Sequence, residues 1–314
     1  VQVRDPPPVP PPWRDFIECH LSNLTKACLP GFQVIGVQKS GTSTLYNILT
    51  KHPQVKPAKS KELLWFNGNY PKVNCDPPER TPSTEGFKHY LQNFPMLLNG
   101  SGTVTAEFSA TYFHCWCCPE AFKRLMPNVR LIVQLRDPIH RAKSRWAEQK
   151  ALRFKWELDT FDEYVERYLP PLEACLKSAG GSSLQAARCA WSDNILGASL
   201  YDDTVQTWLT HFQPKDFLVT YLEQLAFEPA AVVQAIHAHL GLRNFSYPSK
   251  LLHRKYNEKG HYGWTNFAGH LVGNTTALQR LYHFYRPHMQ KLKAMADTGR
   301  IAALPESWVS RWSL

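Results

Sequence analysis

The stretch from Phe32 to His52 constrains this chain more than any other. An apolar run, FQVIGVQ, gives way to the small-residue loop KSGTST and then to TLYNILTKH, in which Leu45, Ile48 and Leu49 fall at helical spacing. A short buried run, a hydroxyl-rich turn and an amphipathic segment read as strand, loop and helix. The unit recurs at VRLIVQL (129–135), which turns at RDP and continues as IHRAKSRWAEQK. FLVTYLEQL (217–225) reads as a third strand, followed by the helix AAVVQAIHAHL with Gly241 as its stop. Buried strands alternating with helices predict an α/β fold, a parallel sheet flanked by helices. The sequence has no internal repeat, and 31–314 reads as one domain.

The first loop predicts an anion site. A small-residue turn at a helix start aims backbone N–H groups and the positive end of the helix dipole at a phosphate, and Ser40, Gly41, Thr42, Ser43 and Thr44 suit that task. Gly36 and Gly41 have the spacing of the outer glycines of a nucleotide-hydrolase P-loop, but that motif places Lys and Ser/Thr after the second glycine. Here Lys39 precedes Gly41, so it approaches from the other side of the loop. The second strand does meet an acid, Asp137, but Arg136 intervenes and Pro138 follows, a poor placement for a metal ligand. A capped glycine turn would explain the glycines in isolation; strand, lysine, glycine and hydroxyls together favour the phosphate site.

Lys and Arg outnumber Asp and Glu by 36 to 26, a formal charge of +10, which favours an anionic partner. The basic residues form no long run, which argues against a nucleic-acid arm. Among the 8 cysteines, Cys115, Cys117 and Cys118 lack the paired C-x2-C spacing of a zinc site, while Cys175 and Cys189 are placed to close a short loop. Sequons at Asn23, Asn99, Asn244 and Asn274, with an even cysteine count, point to an oxidising lumen. DPPPVPPP at 5–12 reads as an extended linker, so 1–30 is expected to be a stem and N-terminal segment. No stretch reaches the roughly 18 to 20 apolar residues that span a bilayer; a membrane anchor is expected upstream of Val1.

GVQKSGTSTLYNIL resembles the 5'-phosphosulfate loop of the sulfotransferases that use 3'-phosphoadenosine 5'-phosphosulfate (PAPS), and LIVQLRDPIHRAKSRW resembles their 3'-phosphate motif. The resemblance implies a P-loop-like sulfotransferase domain over 31–314 that binds PAPS, releases 3'-phosphoadenosine 5'-phosphate (PAP) and needs no metal. Ser40 to Thr44 would surround the 5'-phosphosulfate, Lys39 would meet the oxygen bridging sulfur and phosphorus, and Arg136 and Ser144 would grip the 3'-phosphate. A guanidinium fork suits a phosphate, and Ser144 lies about two turns into a helix opened by Pro138.

KELLWF (61–66) and AEFSATYF (106–113) resemble segments of the glycosaminoglycan branch of that family. They imply Glu62 as general base, with Lys59, Lys61, Glu107 and Ser109 facing the acceptor; burial among Leu63, Leu64, Trp65 and Phe66 is expected to raise the Glu62 pKa. HRKYNEKGHYG (253–263) resembles a loop over the donor, implying contacts from Arg254, Lys255, Lys259 and Gly260. Residues 200–225 and FYRP (284–287) resemble the N-acetylgalactosamine 4-sulfate 6-O-sulfotransferase type. Heparan 3-O-sulfotransferases carry Lys where Phe108 stands, which tilts the expected acceptor toward a galactosaminoglycan such as chondroitin sulfate. Trp65 and Trp116 flank these segments and are candidates for sugar stacking. The resemblance implies a polysaccharide partner and a Golgi type II membrane protein. Competing readings are a heparan-type sulfotransferase, a P-loop kinase or hydrolase, and a non-catalytic binder of anionic glycans.

Overall fold

The apolar run at 32–36 becomes the middle strand of a five-stranded parallel sheet, the arrangement expected of runs buried on both faces. The computed structural model describes residues 19–22, 25–67, 85–97, 102–152, 160–254 and 275–314. Strands β1 (Cys19–Ser22) and β2 (Thr25–Cys28) form an antiparallel hairpin inside the stretch read as a stem. Then follow β3 (Phe32–Gly36), α1 (Thr42–Leu49), β4 (Val55–Pro57), α2 (Glu85–Leu91), β5 (Val104–Phe108), α3 (Cys118–Leu125), β6 (Arg130–Leu135) and α4 (Pro138–Ala151). Helices α5 (Phe161–Ser178), α6 (Ser183–Ser192) and α7 (Tyr201–Leu209) lead to the last strand, β7 (Phe217–Tyr221). The chain continues through α8 (Leu222–Phe227), α9 (Pro229–Leu240), α10 (Ser249–Leu252), α11 (Thr276–Asp297) and α12 (Glu306–Trp312).

Strand order is β4-β5-β3-β6-β7, every neighbouring pair parallel. The chain builds outward from β3 to β4, returns through β5 beside β3, and crosses to β6 on the other side. The direction of winding therefore reverses around β3, and ligands of open α/β sheets bind beyond the strand ends at such a reversal. Each face carries its own core. Phe32, Val34, Phe108 and Ile132 pack with Leu45 and Leu49 of α1 and Ile236 and Leu240 of α9. Ile35, Leu131 and Val133 pack with Phe122 of α3, Trp208 of α7, Tyr285 of α11 and Trp312 of α12.

Two boundaries are informative. FLVTYLEQL is not one strand: it leaves the sheet after Tyr221 and turns directly into α8. Gly241 stops α9 in the left-handed conformation, φ +62°. Cys175 and Cys189 form a disulfide tying α5 to α6. Cys28 and Cys117 each take part in a disulfide as well, whereas Cys115 and Cys118 are buried thiols. Asn244 lies on an exposed loop. Asn23, Asn99, Asn274, the proline run, Lys255, Lys259 and Gly260 lie outside the described residues. Among the described residues no helix is long and apolar enough to cross a membrane.

Candidate active site

The loop between β3 and α1 is clamped from below by β6. Gln134, fully buried, donates through Nε2 to the Ser40 carbonyl at 2.5 Å and accepts the Val37 N–H on its backbone oxygen at 2.9 Å. Gly41 takes φ +82°, and a Cβ there would lie 2.7 Å from Leu222 Cδ1 and 2.8 Å from Gln134 Nε2. Glycine is thus required by backbone conformation and by space. Lys39 is also left-handed, φ +73°, a conformation costing a non-glycine residue about 1–3 kcal/mol. Arg136 holds it there, donating from Nη1 to the Lys39 carbonyl at 3.1 Å. No side chain caps α1, and the Thr44 N–H turns back to the Gly41 carbonyl at 2.9 Å, so the positive end of the helix dipole is not covered by a capping side chain.

Above this loop, at the carboxyl ends of the strands, lies a cavity of about 970 Å³, at the upper end of the roughly 300–1,000 Å³ usual for ligand sites. Lys39, Gly41, Thr42, Ser43 and Thr44 line it from the loop, and Arg136 and Ser144 from β6 and α4. Lys61, Glu62 and Thr111 line another stretch, with His253 and Arg254 beyond. The structure thus brings both motifs and the KELLWF segment to one space. Ser40 lies beneath the loop, fully buried.

The cavity also contains an acid that the motifs do not announce. Glu148, one turn beyond Ser144, accepts from Lys39 Nζ at 3.1 Å and from Arg145 Nη1 at 2.6 Å. Burial lowers the Lys39 pKa, and Glu148 works against that shift. Burial likewise lowers that of Arg136. The helical i+4 spacing from Ser144 was the available signal for Glu148. Asp137, the acid a hydrolase would offer to a metal, is engaged elsewhere. Its Oδ1 caps α4 by accepting the His140 N–H at 3.0 Å, and its Oδ2 accepts from Trp312 Nε1 at 3.1 Å and faces Arg311 Nε at 3.2 Å. Its own N–H donates to Glu223 at 3.0 Å.

Glu62 sits in the cavity wall in a left-handed conformation, φ +61°. Its N–H donates to the Phe108 carbonyl at 2.8 Å, its Oε2 accepts the Ala110 N–H at 2.8 Å, and Lys61 is paired with its other oxygen. The side chain is 33% exposed, so the expected burial among its apolar neighbours does not occur: Trp65 and Phe66 turn away into the core.

Several expectations place side chains where the structure does not. Glu107 and Ser109 are buried beneath the wall and do not line the cavity, and the Glu107 carboxylate accepts from protein hydroxyls. Lys59 is exposed and likewise does not line the cavity. Trp65 stacks on Tyr90 at 5.0 Å and bonds the Gly86 carbonyl through Nε1, Trp116 lies under Arg188 at 4.2 Å, and neither lines the cavity. Phe108 points to the opposite face of β5, edge-on to Phe32 and Tyr46. Its identity therefore cannot choose an acceptor, and the tilt toward galactosaminoglycans loses that support.

A parallel sheet with its winding reversal at a lysine-bearing phosphate-type loop, and with an arginine and a serine of the next strand–helix unit on the same cavity, defines a nucleotide-binding fold of the P-loop kind. The family model described as "Sulfotransferase domain" matches residues 30–256, and the chain belongs to that family of enzymes. The chain shares 20% identity and a TM-score of 0.61 with the crystal structure of a sulfotransferase from Alicyclobacillus acidocaldarius, over 91% of this chain and 99% of that one. Among curated relatives, mouse bifunctional heparan sulfate N-deacetylase/N-sulfotransferase 4 is 30% identical over 69% of this chain, and the human type 2 protein 27% over 90%. The chain spans 23% and 31% of their respective lengths. These two relatives are named for heparan sulfate and give no support to the N-acetylgalactosamine 4-sulfate 6-O subtype suggested by the late-chain resemblance.

Proposed function

We propose that this chain transfers a sulfo group from PAPS to a glycosaminoglycan, with a heparan-type polysaccharide as the acceptor favoured by its relatives. The observation that carries the reading is the shared cavity: Lys39, the first turn of α1, Arg136 and Ser144 line it together with Glu62. In the proposed reaction the acceptor's O–H or N–H proton passes to Glu62 as the new bond to sulfur forms. The sulfur–oxygen bond to phosphate breaks, and PAP leaves with the electron pair. Lys39 and the loop N–H groups meet the charge that develops on the departing phosphate, the point where preorganised donors have most effect. Arg136 and Ser144 are proposed to hold the 3'-phosphate, with Arg254 near the nucleotide. The enzyme is proposed to work in the Golgi lumen, a setting in which the Cys175–Cys189 disulfide would persist.

The test is transfer of labelled sulfate from PAPS to heparan sulfate, N-desulfated heparan sulfate, chondroitin and chondroitin 4-sulfate, by wild type and Glu62→Gln, with and without EDTA. Labelling of a heparan-type acceptor that survives EDTA and is lost in the variant supports the reading. Labelling of chondroitin alone would return the acceptor to the galactosaminoglycans, and absence of both labelling and PAP binding would overturn it.

A further inference from the structure

Beneath the Glu62 segment lies a carboxylate that the proposed chemistry does not use. Glu107 is fully buried on β5, and three hydroxyls converge on it. Tyr90 donates to Oε2 at 2.6 Å, while Tyr112 at 2.7 Å and Ser109 at 2.8 Å donate to Oε1. Each hydroxyl has one proton to give and lone pairs left to receive. With their protons turned toward Glu107, these oxygens accept from outside: Tyr112 from the Trp65 N–H at 2.8 Å, Ser109 from the Leu64 N–H at 3.3 Å, and Tyr90 from Gln33 Nε2 at 3.0 Å. The Glu62 N–H bonds the Phe108 carbonyl, so the backbone N–H groups of residues 62, 64 and 65 are all received by the end of β5 and the turn that follows it.

We infer that Glu107 is a positioning residue, which fixes the hydroxyl protons of Ser109 and Tyr112 so that their oxygens hold residues 62–65 in the geometry that aims Glu62 into the cavity. The inference rests on the proposed role of Glu62. Glu62 and Leu64 both have left-handed backbones, φ +61° and +54°, conformations that persist only where the surroundings over-determine them. The carboxylate accepts all three protons at once. A glutamine with its oxygen at the Oε1 place would still accept from Tyr112 and Ser109 and would turn only Tyr90 away, whereas a leucine leaves all three hydroxyls without their acceptor. The arrangement is held at a disadvantage: burial raises the Glu107 pKa to about 7, with the Glu62 charge adding to the shift. Facing it are Tyr90 from α2, Tyr112 and Ser109 after β5, Gln33 from β3 and Glu62 with its partner Lys61, while Cys118 of α3 acts on Tyr112. Burial pushes both tyrosines well above their usual range, so they stay protonated donors.

The test uses the full chain and compares wild type, Glu107→Leu, Tyr112→Phe and Glu62→Gln. Amide hydrogen exchange of the peptide containing 62–66 is expected to speed up about tenfold in Glu107→Leu, in which the hydroxyls that receive the Leu64 and Trp65 N–H groups lose their common acceptor, and to rise in Tyr112→Phe as well. PAP affinity should change less than twofold. With PAPS and N-desulfated heparan sulfate, kcat of Glu107→Leu should fall about 10²-fold at unchanged KM, the scale of a small misplacement of a reacting group. The wild-type decline in kcat below pH about 7 should flatten in this variant. Unchanged exchange at 62–66 in both variants would overturn the inference. Full transfer by Glu62→Gln would instead remove the base assignment, while the exchange measurement still decides whether Glu107 orders the segment.

Discussion

Lys39 Nζ lies 3.1 Å from Oε1 of Glu148, so the cation proposed to meet the breaking bond is held by a carboxylate that lines the same cavity. An acid among groups assembled for an anion opposes ligand binding, and at distances of a few ångströms and an effective dielectric near 20 such a charge weighs several kcal/mol before screening. Glu148→Gln is therefore expected to tighten PAP binding about three- to tenfold, less than the bare Coulomb figure because the site is open to solvent. Calorimetric titration with PAP checks it. Weaker binding would mean that Glu148 orients Lys39 and Arg145 for the ligand instead of competing with it.

Arg136 serves two structures at once, the Lys39 carbonyl through Nη1 and, through its own carbonyl, the hydroxyl of Tyr201 at 2.7 Å. Arg136→Lys keeps the charge and loses the fork. It should weaken PAP binding about tenfold or more, a loss near the 1.5–3 kcal/mol of a charged hydrogen bond. Ser144→Ala, removing a neutral hydroxyl, should cost about 1 kcal/mol of the same affinity. Equal effects from the two, measured by titration against PAP, would contradict the assignment of the charged contact to Arg136.

The Cys175–Cys189 disulfide closes a loop with a sequence separation of 14 between two helices that pack against the rest of the domain. Loops of this size lose about 3 kcal/mol of stability when opened, on the chain-entropy account. Cys175→Ser with Cys189→Ser should lower the melting temperature by several degrees with PAP affinity retained, since neither residue lines the cavity. A parallel loss of PAP binding would show that α5 and α6 support the donor site.

How much of this was legible in the sequence follows from the range of each signal. The loop at 39–44 and the Arg136–Ser144 pair are local patterns, and they came to one cavity because both follow strands adjacent in the sheet. The end of β7 was not legible: Leu222 and Leu225 extend an apolar run whose periodicity suits strand and helix equally over so few residues. Helix α5 carries Pro170 and Pro171 inside it, a breaker signal overridden by burial of Phe161, Val165 and Leu169. Alternation along AEFSATYF places Glu107 and Ser109 on one face of β5 and Phe108 on the other, but no local pattern shows that the Glu107 face is closed by Tyr90, which reaches it from α2.

Glu107 also makes an unusual prediction about pH. Its folded pKa of about 7 lies above the 4.5 of an ordinary glutamate, so the folded state holds the proton more tightly than the unfolded one. The stability this confers is fully present below pH 4.5 and is lost as pH rises through 7. The shift corresponds to about 3 kcal/mol at 1.36 kcal/mol per unit. Buried His114, pushed down to about 3, and His237 and His239, pushed down to about 4, act with the opposite sign, withdrawing stability as pH falls below 6.5. The Glu107 contribution is therefore read from the difference between wild type and Glu107→Gln, in which the histidines cancel. Melting temperatures from pH 5 to 8.5 should show wild type losing ground to the variant as pH rises, over the same interval in which wild-type kcat increases. A carboxylate that merely stabilised the core would make activity and stability fall together; opposite slopes are the mark of a charge kept to position Glu62.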